Sequence, residues 1–329
     1  GLNATDSVDA ADALDGAEGT DTADSRNATD AADAVDGGDS EEPSDRNTPC
    51  PVASIDTPLD FIAGVTAVTV TYDSDGVQAQ RDIALVAPQN FNPTKDHAVY
   101  FLFHGSGGNK QSTIGACQQA LSNGSKILCV AVDGGPSPEP NKQGGFWNLG
   151  QGQSTEDDLA LVLSIWNQLS TLPYVNPERL YAVGFSMGSA FAGNVLTNSS
   201  YSPFRGVVQV ASQLWVDTVV STPNAMKVLI IHGDADGLIP YGGGASPVGA
   251  NFLSIDESLA KWAEHNGCND AAPSVVETDK YVRRSYPCEV PVVSYLLKGV
   301  NHGTSVQGVH SQGHVHLADT IFDGMESLP

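Results

Sequence analysis

The sequence predicts an α/β fold, a mostly parallel eight-stranded sheet with helices on both faces, preceded by an acidic tail that builds no core. Three observations predict it. From about residue 65 onward, β-branched apolar runs alternate with amphipathic helical stretches; the later runs are continuously apolar; and nothing before Pro49 is aromatic. Alternation of strand and helix specifies a parallel sheet, and unbroken apolar strands are those buried on both faces.

Residues 1–48 are built almost wholly from Asp, Ala, Thr, Gly, Ser and Asn, with 14 acidic residues against 2 Arg. Low hydropathy with like charge leaves such a segment unable to offset its ordering entropy, so 1–48 is expected to be a disordered tail or linker and 49–329 one catalytic domain. Asp12-Ala13-Leu14-Asp15-Gly16 returns as Asp33-Ala34-Val35-Asp36-Gly37. The acids sit three apart and no glutamate closes a twelve-residue loop, so the repeat is expected to be a solvated spacer and not a calcium site. A formal charge of −24 argues against nucleic acid, which needs a basic footprint. No run of about 18 apolar residues is present to span a membrane. No charged n-region leads into an apolar h-region, so any export signal is expected to have been removed already or never to have been in this sequence.

The strands expected after Pro49 are 65–72, 81–87, 98–103, 126–132, 179–184, 206–211, 227–231 and 291–297. Asp73-Ser74-Asp75-Gly76 between the first two is a hairpin signal. Leu159, Val162, Leu163, Trp166 and Leu169 recur at helical spacing behind Ser154-Thr155-Glu156-Asp157, which predicts a helix over 155–171 ended by Leu172-Pro173. Similar stretches at 109–122, 188–197, 252–266 and 314–327 complete the alternation. Two antiparallel strands followed by about six parallel ones is the α/β-hydrolase order, and no room is left for a second core.

The most specific chemical signal is Gly184-Phe185-Ser186-Met187-Gly188, between an expected strand and an expected helix. In that context the glycines permit a sharp turn that lifts the serine hydroxyl off the sheet. A hydroxyl is a weak nucleophile until a base takes its proton, and the base and its orienting acid should follow in the order Ser, Asp, His. Strand 227–231 runs into His232-Gly233-Asp234-Ala235-Asp236-Gly237, where either acid could serve. Five residues after strand 291–297 stands His302 among small residues, the candidate base. His104 and His232 precede glycines at strand ends upstream of the place where the base belongs. Negative charge developing on a substrate oxygen needs preorganised donors. Met187 N–H supplies one, and Ser106 N–H the other, from the loop His104-Gly105-Ser106-Gly107-Gly108-Asn109. That loop lacks the Lys-Ser/Thr pair of a phosphate-binding loop. His104, Gly105 and Trp147 are expected to line the substrate site, with Phe146 and Trp147 in the Gly/Pro-rich segment 134–154 either a substrate platform or local packing.

Five cysteines are present, Cys50, Cys117, Cys129, Cys268 and Cys288, none in a Cys-x-x-Cys pair, so a zinc site is not expected. Cys268 and Cys288 flank a polar stretch that a bridge could staple in an oxidising compartment; all five reduced is the alternative. His310, His314 and His316 invite a metal, but only the first two would share a helix face and no carboxylate or cysteine completes the set. Asn3, Asn27, Asn123 and Asn198 match the glycosylation pattern, which is short and weak.

Taken in order, the HGSGGN loop, Trp147-Asn148, the GFSMG elbow, HGDADGLIPY and the NGC…YPC…GVNHG closing run resemble the extracellular feruloyl esterases and the polyhydroxybutyrate depolymerases of the same α/β-hydrolase group. The resemblance covers about residues 55–325. It implies Asp236, the last residue of HG-x-x-D, as the acid and His302 as the base, and it implies the pairing Cys268–Cys288. It further implies a secreted hydrolase of carboxylic esters, whose triad chemistry calls for no cofactor. Segment 134–154 is too short for a helical lid, so the pocket is expected to be open and to suit a polymer-linked ester as partner, feruloylated or acetylated plant cell-wall polysaccharide first. A polyester depolymerase, a serine peptidase and a non-catalytic surface-binding module are the alternatives. Serine in the oxyanion loop, Met187 in the elbow and the absence of a third glycine before His302 depart from the family pattern.

Overall fold

The computed structural model describes residues 55–139, 141–150, 152, 154–268, 272–303 and 317–328; the acidic tail, Cys50 and the cluster His310, His314 and His316 lie outside these. All described residues fall within the compact unit Pro49–Pro329.

Ten strands form the central sheet: β1 (Gly64–Ser74), β2 (Val77–Ala87), β3 (His97–Phe103), β4 (Leu128–Val132), β5 (Val175–Phe185), β6 (Gly206–Val210), β7 (Lys227–Gly233), β8 (Ser274–Glu277), β9 (Tyr281–Tyr286) and β10 (Val292–Leu297). Their order across the sheet is β1-β2-β4-β3-β5-β6-β7-β10-β9-β8. The expected hairpin is present, β1 pairing β2 from Gly64↔Ala87 to Ser74↔Val77. Its turn uses left-handed Asp75 and Gly76, with Gly76 N–H donating to Asp73 Oδ1 at 2.8 Å. From β4 through β10 all neighbours run parallel.

The expectation of eight strands is corrected to ten. The two extra strands, β8 and β9, form an antiparallel hairpin beyond β10, inside the stretch taken for a polar loop between Cys268 and Cys288. They lie at the sheet's edge, where β8 is exposed at every position and β9 is mostly half-buried. Such strands tolerate Arg283, Arg284 and Ser285, so a search for apolar runs passes over them.

Among the described residues five helices complete the layers: α1 (Gln111–Ser122), α2 (Asp158–Leu169), α3 (Met187–Phe191, continuing as a π-turn Ala192–Leu196), α4 (Ile255–His265) and α5 (Leu317–Ser327). The pleat of β3 divides the core between them. Val99, Phe101 and Phe103 face α2, α3 and α4, while Ala98, Tyr100 and Leu102 face α1 and α5. Asp157 caps α2 by accepting from Ala160 N–H at 2.9 Å, and Ser254 and Glu257 make a reciprocal capping box on α4. In β2, buried Arg81 reaches Glu156 at 2.5 Å and Asp158 at 3.0 Å, which fixes the entry to α2 against the first hairpin.

Two cysteine pairs stand at disulfide distance. Cys117 of α1 meets Cys129 of β4 with Cα atoms 6.6 Å apart, a pairing the sequence left open, and Cys268 meets Cys288 at 5.4 Å. The second closes the base of the β8–β9 hairpin. Its loop spans 20 residues, and closing it is worth about 3 kcal/mol in the chain-entropy treatment. Reduction, or Cys268→Ser with Cys288→Ser, is expected to lower the melting temperature by roughly 5–10 °C and to speed hydrogen exchange in β9 and β10. Non-reducing peptide mapping checks the pairing: free thiols at 268 and 288 would contradict it.

Candidate active site

The elbow is built by steric necessity. Ser186 leaves β5 with φ 51° and ψ −116°, a left-handed conformation costly for any residue but glycine, and α3 begins at Met187. The crossing is possible only because two neighbours lack side chains. A Cβ on Gly184 would stand 2.2 Å from Gly188 O, and one on Gly188 would stand 2.3 Å from Phe103 O and 2.4 Å from His104 O. Ser186 N–H donates to Val210 O at 2.8 Å, which ties the turn to the end of β6.

Three sheet ends converge on that hydroxyl. His302, in the loop after β10, has Nε2 2.8 Å from Ser186 Oγ and Nδ1 2.8 Å from Asp236 Oδ2. Asp236 follows β7 and its side chain is fully buried. Leu238 N–H and Ile239 N–H both donate to its Oδ1 at 2.9 Å. Burial by itself would raise this carboxyl's pKa, but the hydrogen bonds from His232, His302 and Ile239 N–H outweigh it and hold the group well below the usual carboxylate range. Asp234, the other candidate acid, is exposed and accepts from Gly299 N–H at 2.6 Å. It pins the turn that carries His302, helped by Asp234 N–H to Leu297 O and Ala235 N–H to Val300 O, each 3.1 Å.

The loop after β3 packs against the nucleophile: a Cβ on Gly105 would lie 3.4 Å from Ser186 Cβ. Ser106 and Met187 both line a cavity of about 380 Å³ that has Ser186 in its wall. Met187 is the first residue of its helix, where backbone N–H groups lack intrahelical partners. Phe146, Leu149, Trp215, Ile239, Val248 and Phe252 make the cavity largely apolar.

Two expected substrate contacts are corrected. His104 is fully buried; its Nε2 accepts from Gly134 N–H at 2.9 Å, so its Nδ1 donates to Gly105 O at 2.7 Å. Burial lowers its pKa and keeps the ring neutral. Trp147 is fully buried too, donating from Nε1 to His104 O at 2.8 Å and stacking on Phe191 with centroids 5.1 Å apart. Neither side chain reaches the cavity; both shape the loop beneath it. Segment 134–154 therefore braces the loop as well as supplying a wall. Gly107 N–H donates to Gly145 O at 3.0 Å and Gly145 N–H to Gly108 O at 2.9 Å. Sequence reasoning also set His232 aside, whereas its Nε2 lies 3.2 Å from Asp236 Oδ2. The only sequence signal for it was its place in HGDAD.

Sheet order, elbow and the three converging loops decide the fold family. The chain has the α/β-hydrolase fold. No family model matches it. It is similar to feruloyl esterase B of Piromyces equi, 25% identical over 198 residues that make up 57% of this chain and 36% of that protein. It is 27% identical to a probable feruloyl esterase C of Aspergillus flavus over 58% of this chain and 64% of the relative. With feruloyl esterase C of Emericella nidulans it shares 25% identity over 70% of this chain and 79% of the relative. The chain thus spans about a third of the length of the first relative and just under two thirds of the second. A solved acetyl xylan esterase from Aspergillus awamori is more distant, with 13% identity and a TM-score of 0.49 over 74% of this chain and 94% of its own.

The geometry separates the two acids of HGDAD. Asp236→Asn is expected to cut turnover of an activated ester by about 10⁴-fold, because an amide at that position favours the wrong imidazole tautomer. Asp234→Asn keeps an acceptor oxygen for Gly299 N–H and should change turnover by no more than a few-fold. Steady-state kinetics on both variants is the check, and the reverse ranking would overturn the assignment.

Proposed function

We propose that this α/β-hydrolase is a secreted serine carboxylic-ester hydrolase acting on feruloyl or acetyl esters of plant cell-wall polysaccharide. The observation that carries the proposal is the continuous relay from Ser186 Oγ through His302 to Asp236, with both links at 2.8 Å, opening on an apolar cavity beside Ser106 and Met187. The feruloyl esterase relatives support the substrate class. Two cysteine pairs support an oxidising compartment, and the composition of residues 1–48 supports a solvated spacer ahead of the catalytic unit.

In this mechanism His302 Nε2 takes the proton from Ser186 Oγ as the oxygen attacks the ester carbonyl carbon. The carbonyl oxygen becomes an anion facing Ser106 N–H and Met187 N–H, donors fixed by the elbow and by the braced loop above it. Collapse of the tetrahedral species breaks the bond to the alcohol, whose oxygen takes the proton from His302. Water then attacks the acyl-enzyme, gives a proton to the same nitrogen, and releases the acid while Ser186 recovers its hydrogen. Asp236 stays ionised throughout and keeps the imidazole in the Nδ1–H tautomer. The cycle requires neither a metal nor an organic cofactor.

The test is turnover of p-nitrophenyl acetate, methyl ferulate, acetylated xylan, polyhydroxybutyrate and a peptide anilide by the wild type and by Ser186→Ala. Ester turnover led by methyl ferulate or acetylated xylan, and lost in Ser186→Ala by at least about 10⁴-fold, is expected. Preference for polyhydroxybutyrate or for the anilide would move the enzyme to a depolymerase or peptidase. No Ser186-dependent turnover of any of the five would leave a binding module.

A further inference from the structure

Asp236 has two imidazoles on one oxygen, and the mechanism uses only one of them. His232, the penultimate residue of β7, is fully buried, with Nε2 2.8 Å from Ile239 O and 3.2 Å from Asp236 Oδ2. A carbonyl oxygen only accepts, so the proton must sit on Nε2, where the carboxylate shares it. Nδ1 is buried with no hydrogen-bond partner among the described residues. The Ile239 carbonyl therefore selects the Nε2–H tautomer. The same ring clamps the acid loop into a closed unit, because Ile239 N–H donates back to Asp236 Oδ1 at 2.9 Å while Ile239 O accepts from His232.

We infer that His232 is a positioning residue: its Nε2–H occupies one lone pair of Asp236 Oδ2, leaving the other aimed at His302, and it limits how strongly the carboxylate pulls on the catalytic imidazole. This rests on the esterase mechanism above and adds to it a donor behind the acid. Other ionisable groups surround the pair. Tyr241 lies with its ring 6.4 Å from that of His232, and its hydroxyl bonds Asp256 of α4 at 3.2 Å and Arg284 of β9 at 3.1 Å. Burial first, then Asp256, pushes that phenol up to about 12, so it does not titrate in the range where the enzyme would be assayed. Asp234 is bonded to Gly299 on the outer side of the loop. Among the described residues His302 is the remaining neighbour, and it is the group whose behaviour reports the effect.

Glutamine and asparagine separate donation from bulk. The Nε2 of Gln stands as many bonds from Cβ as that of His, whereas the amide nitrogen of Asn falls one bond short. With the donor gone, the Asp236 carboxylate holds protonated His302 more strongly and is itself less firmly placed. His232→Asn is therefore expected to lower kcat roughly tenfold to a hundredfold, the range for one hydrogen bond to a charged group, with KM little changed. It should also move the acid limb of the kcat/KM profile to higher pH, and His232→Gln should recover most of both effects. A residue that merely fills space would lower the melting temperature without moving that limb.

The experiment measures pH profiles of p-nitrophenyl acetate hydrolysis for wild type, His232→Asn and His232→Gln, with melting temperatures alongside. Absence of Ser186-dependent turnover in the wild type would remove the esterase reading itself. An active wild type with an unmoved acid limb in a folded His232→Asn variant would remove the inference about His232 alone. If the Asn variant does not fold, ¹⁵N-histidine spectra of the wild type decide: a ring protonated at Nε2 is expected for His232, and one protonated at Nδ1 would overturn the assignment.

Discussion

The reactive centre depends on one strained residue. Ser186 is held at φ 51°, and the cost, of order 1–3 kcal/mol, is sustained because β5 and α3 can cross only there. Gly184 and Gly188 let their backbones touch, and Gly188 lies so close to the end of β3 that no methyl group fits. The same crossing sets Met187 N–H at a helix start and brings the loop after β3 against the hydroxyl. The proposed nucleophile, the proposed oxyanion donors and the cavity wall therefore share a single geometric cause. The proposed base and acid arrive independently, each on a loop at the end of a parallel strand, which is where an open α/β sheet gathers its chemistry.

What sequence could reveal follows from how local each signal is. The elbow was legible because its motif fits within five residues and Gly184 is required by its contact with Gly188, and the first hairpin because Asp75-Gly76 is a turn in its own right. Strands buried on both faces announced themselves as apolar runs. The β8–β9 hairpin did not, since an edge pair buries little and its Arg283 and Arg284 look like loop residues. Asp236 and Asp234 could not be separated by residue type alone. Their difference is one of direction, the first taking backbone donors inside the loop and the second pinning Gly299 outside it.

The misassigned residues share a physical explanation. His104 opens the HGSGGN loop and Trp147 lies in the Gly/Pro-rich segment 134–154, and from those places both were expected to meet substrate. In three dimensions they form the layer beneath: Trp147 stacks on Phe191 and donates to His104 O, and His104 joins Gly105 to Gly134. Their hydrogen bonds are all to backbone, so they shape the loop after β3. His232 is the converse case. It was passed over because it precedes the expected position of the base, yet it touches the acid, and no spacing rule reveals a contact made across a loop.

The central claim is that Ser186 is a nucleophile activated by His302. The most direct measurement is reaction with a fluorophosphonate, followed by intact mass and peptide mapping. Attack by Ser186 Oγ on phosphorus with loss of fluoride should give one adduct per chain on the peptide containing Ser186, and His302→Ala should slow its formation by orders of magnitude. A chain that takes no adduct, or takes it on Ser106 or Ser189 with Ser186 unmodified, would contradict the account.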